Sequence, residues 1–142
     1  MKIRFKRLRS DVPLPEYKTA GSVAFDLALC EDATVNPGEI QLLPTGLVVC
    51  TPPGYMLMVV SRSSTSTLYG LQLSNSVGII DQDYCGPQDE IKLQVRNFTD
   101  KPVTVPKGIR IAQAIFVKVE KAELEEGELE NTSRGGFGST GH

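Results

Sequence analysis

Histidine is almost absent from this chain of 142 residues, and its scarcity excludes several kinds of active site. The single histidine, His142, is the last residue. A Ser–His–Asp triad, a Cys–His pair and a histidine-based metal site each need an imidazole close to the other catalytic groups. We therefore expect chemistry that depends on carboxylates, hydroxyls and positive charge.

Cysteine is also scarce, and long apolar runs are missing. Cys30, Cys50 and Cys85 are odd in number, lie far apart and lack metal-ligand spacing, which predicts reduced thiols. No apolar run is long enough to cross a bilayer, and the basic start MKIRFKRLRS is not followed by the apolar stretch of a secretory signal. We expect a cytoplasmic protein, or one inside a host cell if it is viral.

Excess charge of one sign is missing too. The net charge of −2 gives no long-range attraction for nucleic acid or acidic membranes, so neither is an expected partner. A nucleotide could bind only through a local cluster of basic residues. The length fits one domain, and the contents of 40% hydrophobic and 23% charged residues are those of a globular protein.

Short apolar runs separated by proline and glycine favour β-strands. They are KIRFKRL, SVAFDLAL, EIQLLPTGLVV, YMLMVVS, LQLSNSVGII, EIKLQVRNF, KPVTV and RIAQAIFVKV. Only residues 63–71 are predicted to hold a short helix. The pattern predicts an all-β, jelly-roll-like sandwich over residues 1–119, an acidic connector over 120–132 and a flexible glycine-rich tail over 133–142.

Polar residues interrupt the apolar pattern at five places. Asp26 lies in the strand SVAFDLA, where a simple strand-end role is the alternative, and SRSSTS provides hydroxyl and guanidinium donors suited to phosphate or to a helix cap. In LSNSVGIIDQDY, Asn75 and Gly78 predict a tight hairpin, and the Asp81 carboxylate follows an apolar run. RIAQ and the tail RGGFGSTG are the other two.

In order and spacing, SVAFDLA, SRSS, NSVGIIDQDYCG, RIAQ and RGGFGSTG resemble the five motifs of the trimeric dUTP pyrophosphatases (dUTPases), from about Gly21 to the end. The resemblance implies a jelly-roll subunit and a homotrimer with three active sites shared between subunits. It also implies Mg²⁺-dependent hydrolysis of dUTP to dUMP and pyrophosphate.

The resemblance assigns a role to each matching residue of the core. Asp81 would orient the water that attacks the α-phosphorus, and Asp26 would help to hold the water shell of Mg²⁺, which is otherwise bound by phosphate oxygens. Tyr84 would pack under the deoxyribose and exclude a 2′-hydroxyl. The uracil would be read by the hairpin of Asn75 and Gly78, and the phosphate chain would be bound by Arg62, Ser63, Ser64 and Gln113.

The tail would act as a lid contributed by one subunit to a site on others. Phe137 would stack on uracil, the flanking glycines such as Gly138 would let the backbone approach closely, and Ser139 and Thr140 would contact the γ-phosphate. Arg134 lies only three residues before Phe137, whereas family tails place the arginine five before it. Either Arg134 still reaches the γ-phosphate or Thr132 occupies the usual arginine position.

Two alternative functions are open to a chain of this pattern. A dCTP deaminase of the same fold would need a glutamate in the strand after the hairpin, but LQVRN has Gln94 at that position, and glutamine cannot shuttle a proton. A trimer that binds nucleotide and signals through a protein partner is the second. The presence of Asp81 and of the tail favours an enzyme.

Overall fold

The computed structural model describes residues 1–133 and 135–136, and within them the chain forms eleven strands and one short helix. The elements are β1 (Phe5–Arg7), β2 (Phe25–Ala28), β3 (Ala33–Val35), β4 (Ile40–Pro44), β5 (Leu47–Val49), β6 (Tyr55–Ser61), α1 (Thr65–Tyr69), β7 (Leu71–Leu73), β8 (Gly78–Ile80), β9 (Lys92–Asn97), β10 (Val103–Val105) and β11 (Arg110–Lys118).

Two larger sheets and two strand pairs make up the sandwich. The larger sheets have the orders β2-β11-β6-β8 and β4-β9-β7, and the pairs are β1-β5 and β3-β10; every pairing is antiparallel. Alternate residues of β2 and β9 are buried, as expected for strands with one face on a core. The expected all-β jelly-roll-like class is confirmed, and the core includes fully buried Leu27, Leu57, Leu93 and Ile111.

The helix α1 lies within the predicted segment and is held at both ends. The Thr65 hydroxyl is buried and donates to the Ile111 carbonyl at 2.7 Å, which ties the helix start to β11. Gly70 ends the helix in the left-handed region (φ 62°), where its N–H donates to the Ser66 carbonyl. Glycine adopts this conformation without a Cβ clash, so the chain can turn directly into β7.

Two interpretations of the strand pattern were wrong. The strand β3 was not predicted. It holds only three residues and depends on pairing with β10, where Thr34 lies opposite Thr104, 70 residues later in sequence. The segment from β7 to β8 is not a hairpin of two paired strands. β7 pairs with β9 and β8 pairs with β6, so the turn between them carries the chain from one sheet to the other.

The expectation of three reduced thiols was also wrong. Cys50 and Cys85 form a disulfide with their Cα atoms 5.1 Å apart, although 35 residues separate them in sequence. Their sequence positions gave no sign of this, because only the fold brings the end of β5 next to the segment after β8. Cys30 is free and buried, and burial raises the pKa of its thiol.

No helix among the residues that the structure describes is long and apolar enough to cross a membrane.

Candidate active site

Asp26 organises a cluster of two arginines at one end of the four-stranded sheet. Its Oδ1 lies 2.9 Å from Arg62 Nε and its Oδ2 lies 3.0 Å from Arg110 Nη1. The Asp26 side chain is only 15% exposed, whereas Arg62 and Arg110 are 30% and 42% exposed. The carboxylate therefore fixes both guanidinium groups while part of each stays open to an anion.

Main-chain contacts give this cluster its position. The Arg62 Nη1 group donates to the Arg110 carbonyl at 3.1 Å, which links the end of β6 to the start of β11. Asp26 pairs in register with Gln113, and Gln113 pairs in turn with Val60, so three adjacent strands bring these side chains together. We call Asp26, Arg62 and Arg110, with Gln113, the arginine cluster.

The hydroxyls of Ser63 and Ser64 extend this cluster. Ser63 is exposed, and Ser64 occupies the cap position of α1 without a side-chain cap bond, so helix capping does not occupy its hydroxyl. Gln113 Nε2 donates to the Ser61 carbonyl at 3.3 Å, a contact that holds the glutamine beside the end of β6. The predicted phosphate-binding residues of the core are thus neighbours in the fold.

A second group of predicted residues surrounds a cavity of about 110 Å³ between the two larger sheets. Asn75 and Gly78 line it, together with Gln94 of β9. β8 is the edge strand of its sheet, so one side of its main chain has no strand partner within the described residues. Unpaired main-chain donors and acceptors at a strand edge can bind a planar ligand by hydrogen bonds.

The turn between β7 and β8 is shaped by Asn75 and its neighbours. Ser76 has a positive φ of 60°, and the Val77 N–H donates to the Asn75 carbonyl at 2.6 Å. A Cβ added to Gly78 would lie 3.3 Å from the Val59 Cβ and 3.6 Å from Asn75 Nδ2. The absence of a side chain at Gly78 therefore keeps space beside the asparagine.

Asp81 and Tyr84 follow β8. Asp81 is exposed, lines a cavity of about 320 Å³ with Tyr55 and Asp83, and has no hydrogen bond or ion pair from its carboxylate in the described part of the chain. Tyr84 is 41% exposed, and its hydroxyl donates to the Glu90 carbonyl at 3.0 Å. The first is a free carboxylate available as a base, and the second presents a ring held at its hydroxyl end.

The arginine cluster and Asp81 lie at opposite ends of the same strand. Asp81 follows Ile80, which pairs with Leu57, whereas Arg62 follows the far end of β6. The five residue steps from Leu57 to Arg62 span about 17 Å of extended strand. A general base must lie within hydrogen-bond distance of the reacting group, directly or through one water, so one chain cannot apply both groups to one phosphorus atom.

The residues 1–133 and 135–136 hold no group of three or more carboxylate, cysteine or histidine side chains that could bind a metal ion. The Asp26 oxygens each face an arginine, but a carboxylate accepts about four hydrogen bonds and so can still accept from a water molecule. The chemistry of these residues fits a hydrated cation that arrives with phosphate ligands.

Sequence reasoning gave Arg110 no definite role, although the structure joins it to Asp26. The available signal was a cation at the start of an otherwise apolar strand, and only the register of β2 on β11 shows which carboxylate it meets. The predicted tail residues lie outside the described part of the chain. They are Arg134, Phe137, Gly138, Ser139 and Thr140.

Comparisons with known proteins agree on one family. The profile of the dUTPase family matches residues 10–141. The deoxyuridine 5′-triphosphate nucleotidohydrolase of Hydrogenobaculum sp. (strain Y04AAS1) is 44% identical over 145 aligned positions, which cover 99% of each chain. The enzyme of the same name from Pseudomonas aeruginosa (strain LESB58) is 41% identical and covers 99% of this chain and 93% of its own.

Solved structures show the same likeness. The crystal structure of dUTPase from Streptococcus mutans superposes with a TM-score of 0.77 at 34% identity, covering 84% of this chain and 98% of that chain. The dUTPase of Staphylococcus bacteriophage 80alpha has a TM-score of 0.86 at 24% identity, over 99% of this chain and 98% of its own. At 24% identity, the likeness to the phage enzyme shows a shared fold.

Proposed function

Because the chain belongs to the dUTPase family and is a deoxyuridine 5′-triphosphate nucleotidohydrolase, we propose that Asp81 orients the water that attacks the α-phosphorus of dUTP, with dUMP and pyrophosphate as products. The exposed and unpaired Asp81 carboxylate supports this role, since a base must be free to accept a proton. With no histidine in residues 1–141, no stronger candidate base is available in the sequence.

The active site is shared between copies of the chain in a homotrimer. The observation that supports this most strongly is the distance of about 17 Å along β6 from Leu57, which pairs with the residue before Asp81, to Arg62. This distance keeps Asp81 away from the arginine cluster of its own chain. A neighbouring copy that presents its arginine cluster to this Asp81 completes the site. Closed rotational symmetry then repeats the site once per copy.

The phosphate chain binds to the arginine cluster. Arg62 and Gln113 donate to phosphate oxygens, and the hydroxyls of Ser63 and Ser64 add neutral donors. Asp26 holds both arginines in place before the substrate arrives, so little reorganisation is needed on binding. Phosphoryl transfer depends on such positioning and charge neutralisation more than on covalent help from the protein.

Uracil occupies the cavity lined by Asn75 and Gly78. The free edge of β8 offers main-chain donors and acceptors to the base, and the confined space beside Gly78 leaves no room for a 5-methyl group. Tyr84 packs under the deoxyribose and excludes a 2′-hydroxyl. A steric clash built into a site discriminates between substrates more strongly than a missing contact does.

Mg²⁺ assists by neutralising charge on the phosphate oxygens when it is bound. The absence of a metal-binding side-chain cluster within the described residues supports a cation held mainly by the substrate, with Asp26 accepting from its water shell. This division of ligands matches the preference of Mg²⁺ for phosphate and water oxygens.

The tail closes the site. Phe137 stacks on uracil, Ser139 and Thr140 contact the γ-phosphate with main-chain help around Gly138, and Arg134 adds positive charge there. Residues 1–119 form the catalytic core, residues 120–132 the connector, and residues 133–142 the lid. The end of β11 at Lys118 supports the first of these boundaries.

A substrate panel tests the proposal. Pyrophosphate release from dUTP, dTTP, UTP and dCTP should be measured side by side with Mg²⁺. We expect rapid release from dUTP alone, because the proposed uracil site beside Asn75 has no room for a 5-methyl group and Tyr84 blocks a 2′-hydroxyl. Hydrolysis of UTP as fast as dUTP would refute the role of Tyr84. Ammonia released from dCTP would indicate the deaminase that Gln94 argues against.

A further inference from the structure

The disulfide between Cys50 and Cys85 lies directly beside the proposed sugar-binding residue. Cys85 is the next residue after Tyr84, and Cys50 follows the last residue of β5. The Cys50 N–H donates to the Arg4 carbonyl at 2.9 Å, so this partner is fixed to the β1–β5 pair. The bond therefore connects a rigid strand pair to the segment that carries Tyr84.

The segment from Asp81 to Glu90 contains no strand or helix, and its internal hydrogen bonds are local, such as that from the Tyr84 hydroxyl to the Glu90 carbonyl at 3.0 Å. Gln82 Nε2 donates to the Tyr55 carbonyl at 3.1 Å near its start, and Glu90 Oε1 accepts from the Gly46 N–H at 2.7 Å at its end. Between these points, Lys6 Nζ donates to the Pro87 carbonyl from an exposed side chain. The disulfide is the one covalent connection between the middle of this segment and the sheet.

We propose that the Cys50–Cys85 disulfide is a positioning link for Tyr84, and that its oxidation state sets how well the enzyme distinguishes deoxyribonucleotides from ribonucleotides. This inference rests on the proposed role of Tyr84. With the bond intact, the ring is held where a 2′-hydroxyl would clash. With the bond broken, the backbone at Cys85 is released from β5 and the ring can yield to the larger sugar.

The redox step is an ordinary thiol–disulfide exchange. A dithiol reductant, or two molecules of a monothiol such as glutathione, supplies two electrons and two protons, breaks the S–S bond and becomes a disulfide itself. A disulfide oxidant reverses the step. Both cysteines are partly exposed, so a small thiol can reach them, whereas Cys30 is buried with a raised pKa and is a poor exchange partner.

In a cytoplasmic compartment, the location predicted from the sequence, this link would be open to reduction. A disulfide in a cytoplasmic protein is usually transient, because the glutathione pool holds thiols reduced. The pair would then report the redox state of the compartment through substrate choice.

The experiment compares kcat and KM for dUTP and UTP in the oxidised enzyme, in the enzyme reduced with dithiothreitol, and in Cys50→Ser and Cys85→Ser variants. Mass spectrometry under non-reducing conditions counts the free thiols in each sample. Because a displacement of about 1 Å can change a rate by about 10²-fold, we expect the ratio of kcat/KM for dUTP over UTP to fall by roughly tenfold or more on reduction. Both serine variants should have the kcat/KM ratio of the reduced enzyme, and dithiothreitol should not change it. Reoxidation of the parent should restore the original ratio.

Two results would overturn the inference. One is a sample that still shows three free thiols by mass spectrometry after treatment with a disulfide oxidant, because in that case no bond forms. The other is an unchanged dUTP to UTP ratio after verified reduction, even if the melting temperature falls, since that result assigns the bond to stability alone. A Tyr84→Ala variant, measured in the oxidised state, separates the two proposals: if it discriminates as the parent does, the role of Tyr84 itself is wrong.

Discussion

Asp26 and Asp81 are both conspicuous in the sequence, yet the fold gives them opposite surroundings. Both oxygens of Asp26 face arginines and its side chain is largely buried, whereas Asp81 is exposed and has no ion pair in the described part of the chain. A carboxylate between two cations is engaged in ion pairs, whereas an unpaired carboxylate can accept a hydrogen bond from a water molecule. This contrast supports the proposed catalytic role of Asp81 and the proposed organising role of Asp26.

Replacing Asp81 by asparagine tests this assignment at the residue scale. The amide keeps the size and most hydrogen bonding but loses the charge that polarises the water. We expect turnover of dUTP to fall by at least about 100-fold, the low end for loss of a general base, with binding of a non-hydrolysable dUTP analogue largely kept.

Asp83 provides the matched control, since it is also exposed and lines the same cavity. Turnover in Asp83→Asn should stay close to that of the parent. Equal losses in the two variants would mean that general negative charge near this cavity matters and that Asp81 is not the base.

At the scale of elements, the sequence predicted which segments form strands but not which strands pair with each other. Apolar runs with turn signals located ten of the eleven strands, because β-branched and aromatic residues favour strands wherever they pair. The sequence did not show that β7 and β8 belong to different sheets, because an apolar run with a tight turn has the same pattern in a hairpin and in a turn between two sheets. The Cys50–Cys85 disulfide was not predicted either, because only the fold brings the two cysteines together.

The divergence of β7 and β8 shapes the cavity where uracil is proposed to bind, and Gly78 is the position to test. In Gly78→Ala the new methyl group would lie 3.3 Å from the Val59 Cβ and close to the Asn75 amide. We expect KM for dUTP to rise by about tenfold or more, the effect of one methyl-sized change in a fitted pocket, with kcat less affected.

Gly21→Ala serves as the control, because a Cβ at Gly21 has no atom within 4 Å. Its steady-state kinetics should match those of the parent. If Gly78→Ala also leaves KM unchanged while circular dichroism shows a native fold, uracil does not bind beside Gly78.

The tail is also proposed to have a task of its own, as a lid over the site. The last strand ends at Lys118, so deletion of residues 135–142 should leave the melting temperature and the oligomeric state unchanged while it severely impairs catalysis. Loss of one stacked ring costs about 1–3 kcal/mol, so Phe137→Ala should do less harm than the deletion, which also removes the γ-phosphate contacts. Normal dUTP turnover by the truncated protein would show that the tail takes no part in the reaction.

At the scale of the whole molecule, sequence motifs gave candidate site residues but not their arrangement. The proposed phosphate-binding residues are scattered from Asp26 to Gln113 in sequence and meet because β2, β11 and β6 are adjacent. Asp81 is closer to Arg62 in sequence than Gln113 is, and yet β6 holds the two apart. Strand pairing decides this separation, and the order of motifs along the chain does not show which distant strands pair.

We propose that each site joins Asp81 of one copy to the arginine cluster of another. Mixing two inactive variants tests this arrangement. Asp81→Asn and Arg62→Ala are each expected to lose most activity as homotrimers. When they are co-expressed in equal amounts and all trimers are purified together, about a quarter of the sites should receive both intact groups if subunits assemble at random, and activity should recover to about that fraction. If each chain formed its site alone, every site would carry one defect, and mixed trimers as inactive as the two parents would contradict the account.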